Sequence, residues 1–247
     1  MVSKTSIAIR LAFIYVSFLI VNKSATYLGK PFIGDPLTLM MVAKWICVPY
    51  VLGLAYYLKL FSEIGLRQKG HWKSLILYWP IWLVALLSLA GGWQATDPML
   101  VINILLFVIA VGITEEVIFR GFFFHYLRVL QPGVVILISS AAFGSMHLMG
   151  FFAQFPTGLV LAQVYFAAGF GMILGNDRAR HGALSVPIFV HAAFDFAAMG
   201  AKGGLQEMLV HDPQIVLGML IGGTMLWAWG LWLIYIGKRR NSFIKPT

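Results

Sequence analysis

The sequence predicts an all-α fold: a polytopic membrane helix bundle of about eight transmembrane helices, forming a single membrane domain over residues 1–247. Two observations predict it. Hydrophobic residues make up 60% of the chain and charged residues 11%, whereas soluble domains carry about a quarter charged residues. Such a chain cannot cover a globule with polar surface. The apolar residues also gather into runs of roughly the 20 residues that a helix needs to cross a bilayer.

In chain order, the first candidate span is Ile7–Val21. Lys4 and Arg10 flank it, and no small-residue cleavage site precedes Asn22, so it reads as a retained span, not a cleaved signal. The following spans are Pro36–Leu60, Leu75–Ala90, an overlong Met99–Leu130, Val134–Phe155, Leu159–Gly175, Ala183–Met199 and Ile215–Ile236. The connections carry Gly, Pro and charges: Lys30-Pro31, the 63–73 loop, Thr96-Asp97-Pro98, Gln131-Pro132-Gly133, the 176–182 loop and His211-Asp212-Pro213. No tandem repeat or low-complexity tract interrupts them.

The formal charge of +9 raises the question of nucleic acid. The basic residues, however, sit in short loops and at the ends, which is a positive-inside pattern and not a nucleic-acid footprint. Lys4, Arg10, the 59–73 region, Arg120, Arg128, Arg178, Arg180 and the tail from Lys238 to Lys245 fall on one side. Lys23, Lys30 and Lys202 fall on the other. That imbalance predicts cytoplasmic N- and C-termini in a cell (plasma) membrane, and the compact length suits a prokaryotic protein. The single Cys47 excludes an intrachain disulfide and a Cys-rich metal site, and its apolar setting suits packing.

Three segments break the apolar pattern. Thr114-Glu115-Glu116-Val117-Ile118-Phe119-Arg120-Gly121 carries two adjacent carboxylates and an arginine. Phe143-Gly144-Ser145-Met146-His147 and His191-Ala192-Ala193-Phe194-Asp195 carry the others. Ionisable groups at bilayer depth cost several kcal/mol and persist mainly where they face a cavity, a partner or a reaction. If helix four ended at Gly112, Glu115 would lie at the cytoplasmic face, far from His147. The consistent reading runs that helix unbroken from Met99 to Leu130, which puts Glu115 near its middle. A re-entrant break at Gly112 is the alternative.

Residues four apart share a helical face. Glu116 with Arg120, Phe143 with His147, and His191 with Asp195 have that spacing. Glu115 is turned about 100° from Glu116, so the expected split has Glu116 pairing with Arg120 while Glu115 faces a cavity as general acid or base. Each group also has a bland reading. Glu116–Arg120 suits a structural pair, and a lone intramembrane His or Asp suits a strut between helices. Three such clusters in otherwise nearly uncharged spans argue for a shared site. Lys44 is the main other charge, explained by snorkelling or pairing. His71, His181 and His211 fall in loops, and His125 lies about three turns beyond Glu115. Pro187, four before His191, is expected to bend helix seven. The small residues from Ser139 to Ser145 suit close helix packing.

EExxxR at Glu115–Arg120, FxxxH at Phe143–His147 and HxxxD at His191–Asp195 resemble the motifs of the CPBP family. These are the CAAX prenyl endopeptidases of the Rce1 type and their bacteriocin-processing relatives, also called Abi. The likeness covers residues 112–199, and Ser62-Glu63-Ile64-Gly65-Leu66-Arg67 is similar to a Gly-Leu-Arg segment common before that core. The resemblance implies an intramembrane endopeptidase in which Glu115 activates a water and His147 holds it. His191 and residue 195 would stabilise the oxyanion. Many members carry Asn where this chain has Asp195. An ionised Asp cannot donate, so Asp195 is protonated, orients His191, or binds a cation.

The last option leaves metal use open. Glu115, His147, His191 and Asp195 are a plausible zinc set with an open position for water, set against metal-free glutamate chemistry. No HExxH or GxGD motif is present. A proton or ion pathway in a transporter lacks the expected inverted repeat, and a non-catalytic scaffold or immunity partner leaves the intact Glu115, His147 and His191 unexplained. The expected partners are the lipid bilayer and a membrane-associated peptide or protein. Prenylated tails, peptide precursors, bacteriocins and C-terminal sorting tails all remain as substrates.

Overall fold

A computed structural model describes residues 4–204 and 213–244, which leaves His211, Asp212 and Lys245 outside the described residues. Among the described residues all regular structure is helical. Eight helices follow one another: α1 (Lys4–Gly29), α2 (Pro36–Tyr57), α3 (Trp72–Gly91), α4 (Pro98–Leu127), α5 (Pro132–Phe151), α6 (Thr157–His181), α7 (Ser185–Lys202) and α8 (Pro213–Arg239). Seven are long and apolar enough to cross a membrane, and the chain is a multi-pass membrane protein. The one outside that group is α7, where His191, Asp195 and Lys202 lower the hydropathy of a short helix.

The starts follow from local chemistry. Asp35 Oδ2 accepts from Thr38 N at 2.7 Å, and Asp97 accepts from Met99 N and Leu100 N at 3.3 and 3.1 Å. Both aspartates are followed by a proline whose missing N–H costs nothing in a first turn. Pro187 is also in the first turn of its helix, since α7 begins at Ser185. It therefore removes no intrahelical hydrogen bond, and the bend expected at His191 has no cause there.

The bundle is layered around α4 and α6, the most buried of the spans. α4 lies between α2 and α7, α6 packs against α5 and α8, and α1 covers α2. On α1, Ile9, Phe13, Val16 and Ile20 are exposed at helical spacing, which gives a face suited to acyl chains. The small residues of α5 allow the close packing expected of them. A Cβ added at Gly144 would meet Val164 O at 2.7 Å.

α4 passes through Gly112 without a break, so the unbroken helix forms and the re-entrant alternative does not. Directly after Glu116 it widens into a π-helical stretch, Val117–Phe122. Such stretches are often found at functional sites. Side chains from two other helices reach its carbonyls: Ser139 Oγ donates to Phe119 O at 2.7 Å and Arg178 Nε to Arg120 O at 3.0 Å. α5 tightens to 3₁₀ geometry over His147–Phe151, ending four residues before the expected Phe155.

The basic segments meet at one end of the bundle. Arg128 Nη1 bonds Glu63 Oε2 at 2.7 Å, and Arg178 donates to Glu63 O and Gly182 O. Leu184 N donates to Gly65 O, and Arg180 reaches Ser242. Gly65 has φ +94°, and an added Cβ there would collide with Gly182 O. The Gly-Leu-Arg segment thus needs glycine both for its backbone and for this contact.

Candidate active site

Glu115 and Glu116 stand where α4 enters its π-helical stretch, and their different directions give them different partners. Glu116 Oε1 lies 3.0 Å from Arg120 Nη1, with both side chains fully buried. The same oxygen lies 2.8 Å from His191 Nδ1 on α7. Arg120 stays charged and needs a counter-charge at this depth, so Glu116 acts as a carboxylate acceptor. His191 Nδ1 is then the donor, and Nε2 is the ring nitrogen presented to the rest of the site.

Nε2 lies 3.9 Å from Glu115 Oε2 and 3.5 Å from Asp195 Oδ2. With Nδ1 carrying a proton, Nε2 donates only in the imidazolium and otherwise accepts. His147 stands at the end of the α-helical part of α5 and interacts electrostatically with Glu115. Phe143 sets the two imidazoles. Its ring meets His147 edge-on at 5.9 Å and His191 at 5.6 Å, and Arg120 lies 4.5 Å from its centre.

Two close approaches bring these helices together. A Cβ on Gly112, one turn before Glu115 and Glu116, would lie 3.0 Å from Ile188 O and 3.5 Å from Ala192 on α7. A Cβ on Gly171 of α6 would lie 2.7 Å from Arg120 Nη2. Backbone with no side chain is what admits α7 and the guanidinium at these two points.

Of the residues singled out by sequence, Glu115, Glu116, Arg120, His191 and Asp195 are joined by direct polar contacts, and Phe143 and His147 close the group. His125 belongs elsewhere, 2.9 Å from Glu63. His71 and His181 stack on each other at 4.5 Å, with His181 in the last turn of α6, not in a loop. The residue that sequence reasoning missed as part of the site is Lys44 of α2. Its Nζ lies 2.7 Å from Glu115 Oε1, with both groups buried. The signal was present as one ammonium in an otherwise apolar 22-residue helix. Its partner was not, because the two are 71 positions apart.

The donor arrangement bears on zinc. Among the described residues no group of three or more His, Cys, Asp or Glu has the geometry to hold a metal ion. An ammonium already holds Glu115 Oε1, and a cation beside that carboxylate disfavours a second one.

No curated protein and no solved structure matches the chain. One family model does, over residues 97–197, described as Type II CAAX prenyl endopeptidase Rce1-like. The matched stretch opens at the Asp97 cap of α4 and closes just past Asp195, so it takes in every motif residue of the site and leaves Lys44 outside. The motif-bearing core of this chain, residues 97–197, is similar to the Rce1-like type II CAAX prenyl endopeptidase family.

Proposed function

We propose that the protein hydrolyses a peptide bond of a membrane-associated or lipid-anchored peptide or protein, within the bilayer, with a water activated by Glu115 and His147. The observation that carries this reading is the convergence of Glu115, His191 and Asp195 on one buried locus, with the Phe143 ring against both His147 and His191.

In the proposed reaction Glu115 takes a proton from the water as its oxygen bonds to the scissile carbonyl carbon. His147 orients that water. The carbonyl oxygen becomes an oxyanion, which His191 stabilises from Nε2 as the imidazolium. Its ring is held by Glu116 at Nδ1 and faced by Asp195 at Nε2. Collapse of the tetrahedral intermediate breaks the C–N bond, and Glu115 returns its proton to the leaving nitrogen. The products are a carboxylic acid and an amine. No resident metal takes part in this scheme. We also place both termini in the cytoplasm.

The test uses purified protein in liposomes with a membrane-anchored peptide reporter. Glu115→Ala and His147→Ala should each abolish cleavage, since general acid–base groups contribute about 10²–10⁴ in rate, with retained helix content by circular dichroism showing that the bundle still forms. Cleavage that persists in Glu115→Ala overturns the mechanism. Ion or proton flux without cleavage points to a transporter, and partner binding unaffected by both changes points to a scaffold. Activity lost to a chelator and restored by zinc returns the metal-dependent scheme.

A further inference from the structure

The ammonium nearest the proposed base lies outside both the motifs and the matched stretch. Lys44 sits in the middle of α2, buried, with its Nζ 2.7 Å from Glu115 Oε1 and 5.1 Å from the Phe18 ring of α1. From this depth its stem does not carry the charge to the interface, so the lysine depends on Glu115 for compensation.

The dependence runs the other way too, and it divides the labour of one carboxylate. Oε1 is engaged by Lys44, and Oε2 is the oxygen turned toward His191. A glutamate has a soft terminal torsion. Unheld, the carboxylate could rotate to offer either oxygen to His191 Nε2, a pairing that would use up the two groups the reaction needs free. Glu116 is spared this problem because Arg120 and His191 fix it from two sides. Lys44 does for Glu115 what Arg120 does for Glu116.

We propose that Lys44 is a positioning residue of the active site, which fixes the Glu115 carboxylate by its Oε1 so that Oε2 is the oxygen that meets the water. The inference rests on Glu115 being the base. It adds to the three motifs a fourth contribution, from α2.

The test measures kcat and KM separately for Lys44→Met and Lys44→Arg in the liposome assay, alongside Glu115→Ala. Lys44 does not touch substrate in this scheme, so Lys44→Met should lower kcat by roughly ten- to a hundredfold, less than loss of the base itself, with KM little changed. Lys44→Arg, which keeps the charge, should recover a substantial part of kcat. A Lys44→Met protein that folds and turns over within about twofold of the parent overturns the inference, and so does a loss that appears only in KM. If Lys44→Met does not fold, Lys44→Arg decides alone. A parental kcat with a lower unfolding temperature would make the pair merely structural. Glu115→Ala separates the two levels: if it is dead while Lys44→Met is normal, only the Lys44 role falls, and if it is active, the base assignment falls.

Discussion

At the scale of single residues, the site is two neighbouring carboxylates, each held by its own buried cation. Glu116 sits between Arg120 and His191 with no exposure, so removing one member strands a buried charge. Glu116→Ala or Arg120→Ala should each cost about 3–5 kcal/mol of stability, read as a fall in unfolding temperature in detergent. Glu116→Gln combined with Arg120→Met removes both charges and should recover much of that loss. It should not recover cleavage, because the glutamine is no longer a charged acceptor obliging His191 to carry its proton on Nδ1. A double variant as active as the parent would make Glu116 a strut and nothing more. Asp195 gives a second contrast. Its carboxylate faces His191 Nε2 at 3.5 Å, where an amide could itself donate to an oxyanion. Asp195→Asn, whose amide can donate to the oxyanion, should keep cleavage within about tenfold of the parent, and Asp195→Ala, which supplies neither a donor nor the carboxylate that supports the His191 imidazolium, should lose about 10²-fold. Equal losses in both would mean that the negative charge is what counts. At this scale the sequence was informative where partners were near in the chain. Glu116–Arg120 and His191–Asp195 are four apart and legible from helix geometry. Lys44–Glu115 and Glu116–His191 join residues 71 and 75 positions apart, and no local pattern encodes such distances.

At the scale of helices, the site depends on how closely α7 approaches α4. Gly112 presents bare backbone to Ile188 O and Ala192, one turn below the carboxylates on α4 and one turn from His191 on α7. A leucine there cannot be housed without moving α7 outward, which draws Nδ1 away from Glu116 Oε1. Gly112→Leu should therefore depress kcat by about a hundredfold, as misplacement by an ångström does. Near-native helix content by circular dichroism would show that the fold survives. Cleavage at the parental rate would show that the contact does not set the site. Arg178 anchors the other side of the same region, spanning Arg120 O, Gly182 O and Glu63 O. The helices themselves were readable because lipid requires every backbone group to be paired within its own segment. That demand makes apolar length a nearly sufficient signal for seven of them. The π-helical widening after Glu116 was not readable, since the groups that meet its carbonyls, Ser139 and Arg178, come from other helices. Nor was the place of Pro187 in the first turn of α7, which decides whether the proline removes a helix hydrogen bond.

At the scale of the whole molecule, the basic residues that looked scattered along the chain gather at one end. Arg10 lies against Tyr126, Arg128 against Glu63, Arg178 against the Gly182 turn, and Arg180 against Ser242. Lys23 and Lys202 lie at the opposite end of their helices, α1 and α7. Counting along α4 at about 1.5 Å per residue puts Glu115 about 18 Å in from Leu127 at the basic end and about 25 Å from Pro98, well within a bilayer core of about 30 Å if that end sits at the interface. His191 is nearer the basic end, about 9 Å from Ser185 on the same scale. On these counts Glu115 lies near the middle of the core and His191 on its basic side, and the orientation of the chain decides which compartment is closer to His191. Short loops rich in Lys and Arg are retained in the cytoplasm during insertion, which supports the proposal that the basic end, and both termini with it, lies on that side. Thiol labelling in intact cells tests this directly, because the native Cys47 is buried in the bundle and contributes little background. A cysteine introduced as Lys23→Cys should react with a membrane-impermeant maleimide added from outside, and one introduced as Lys69→Cys should react only after the membrane is opened. The reverse pattern would put His191 closer to the outer face, and substrates would then have to approach it from outside the cytoplasm.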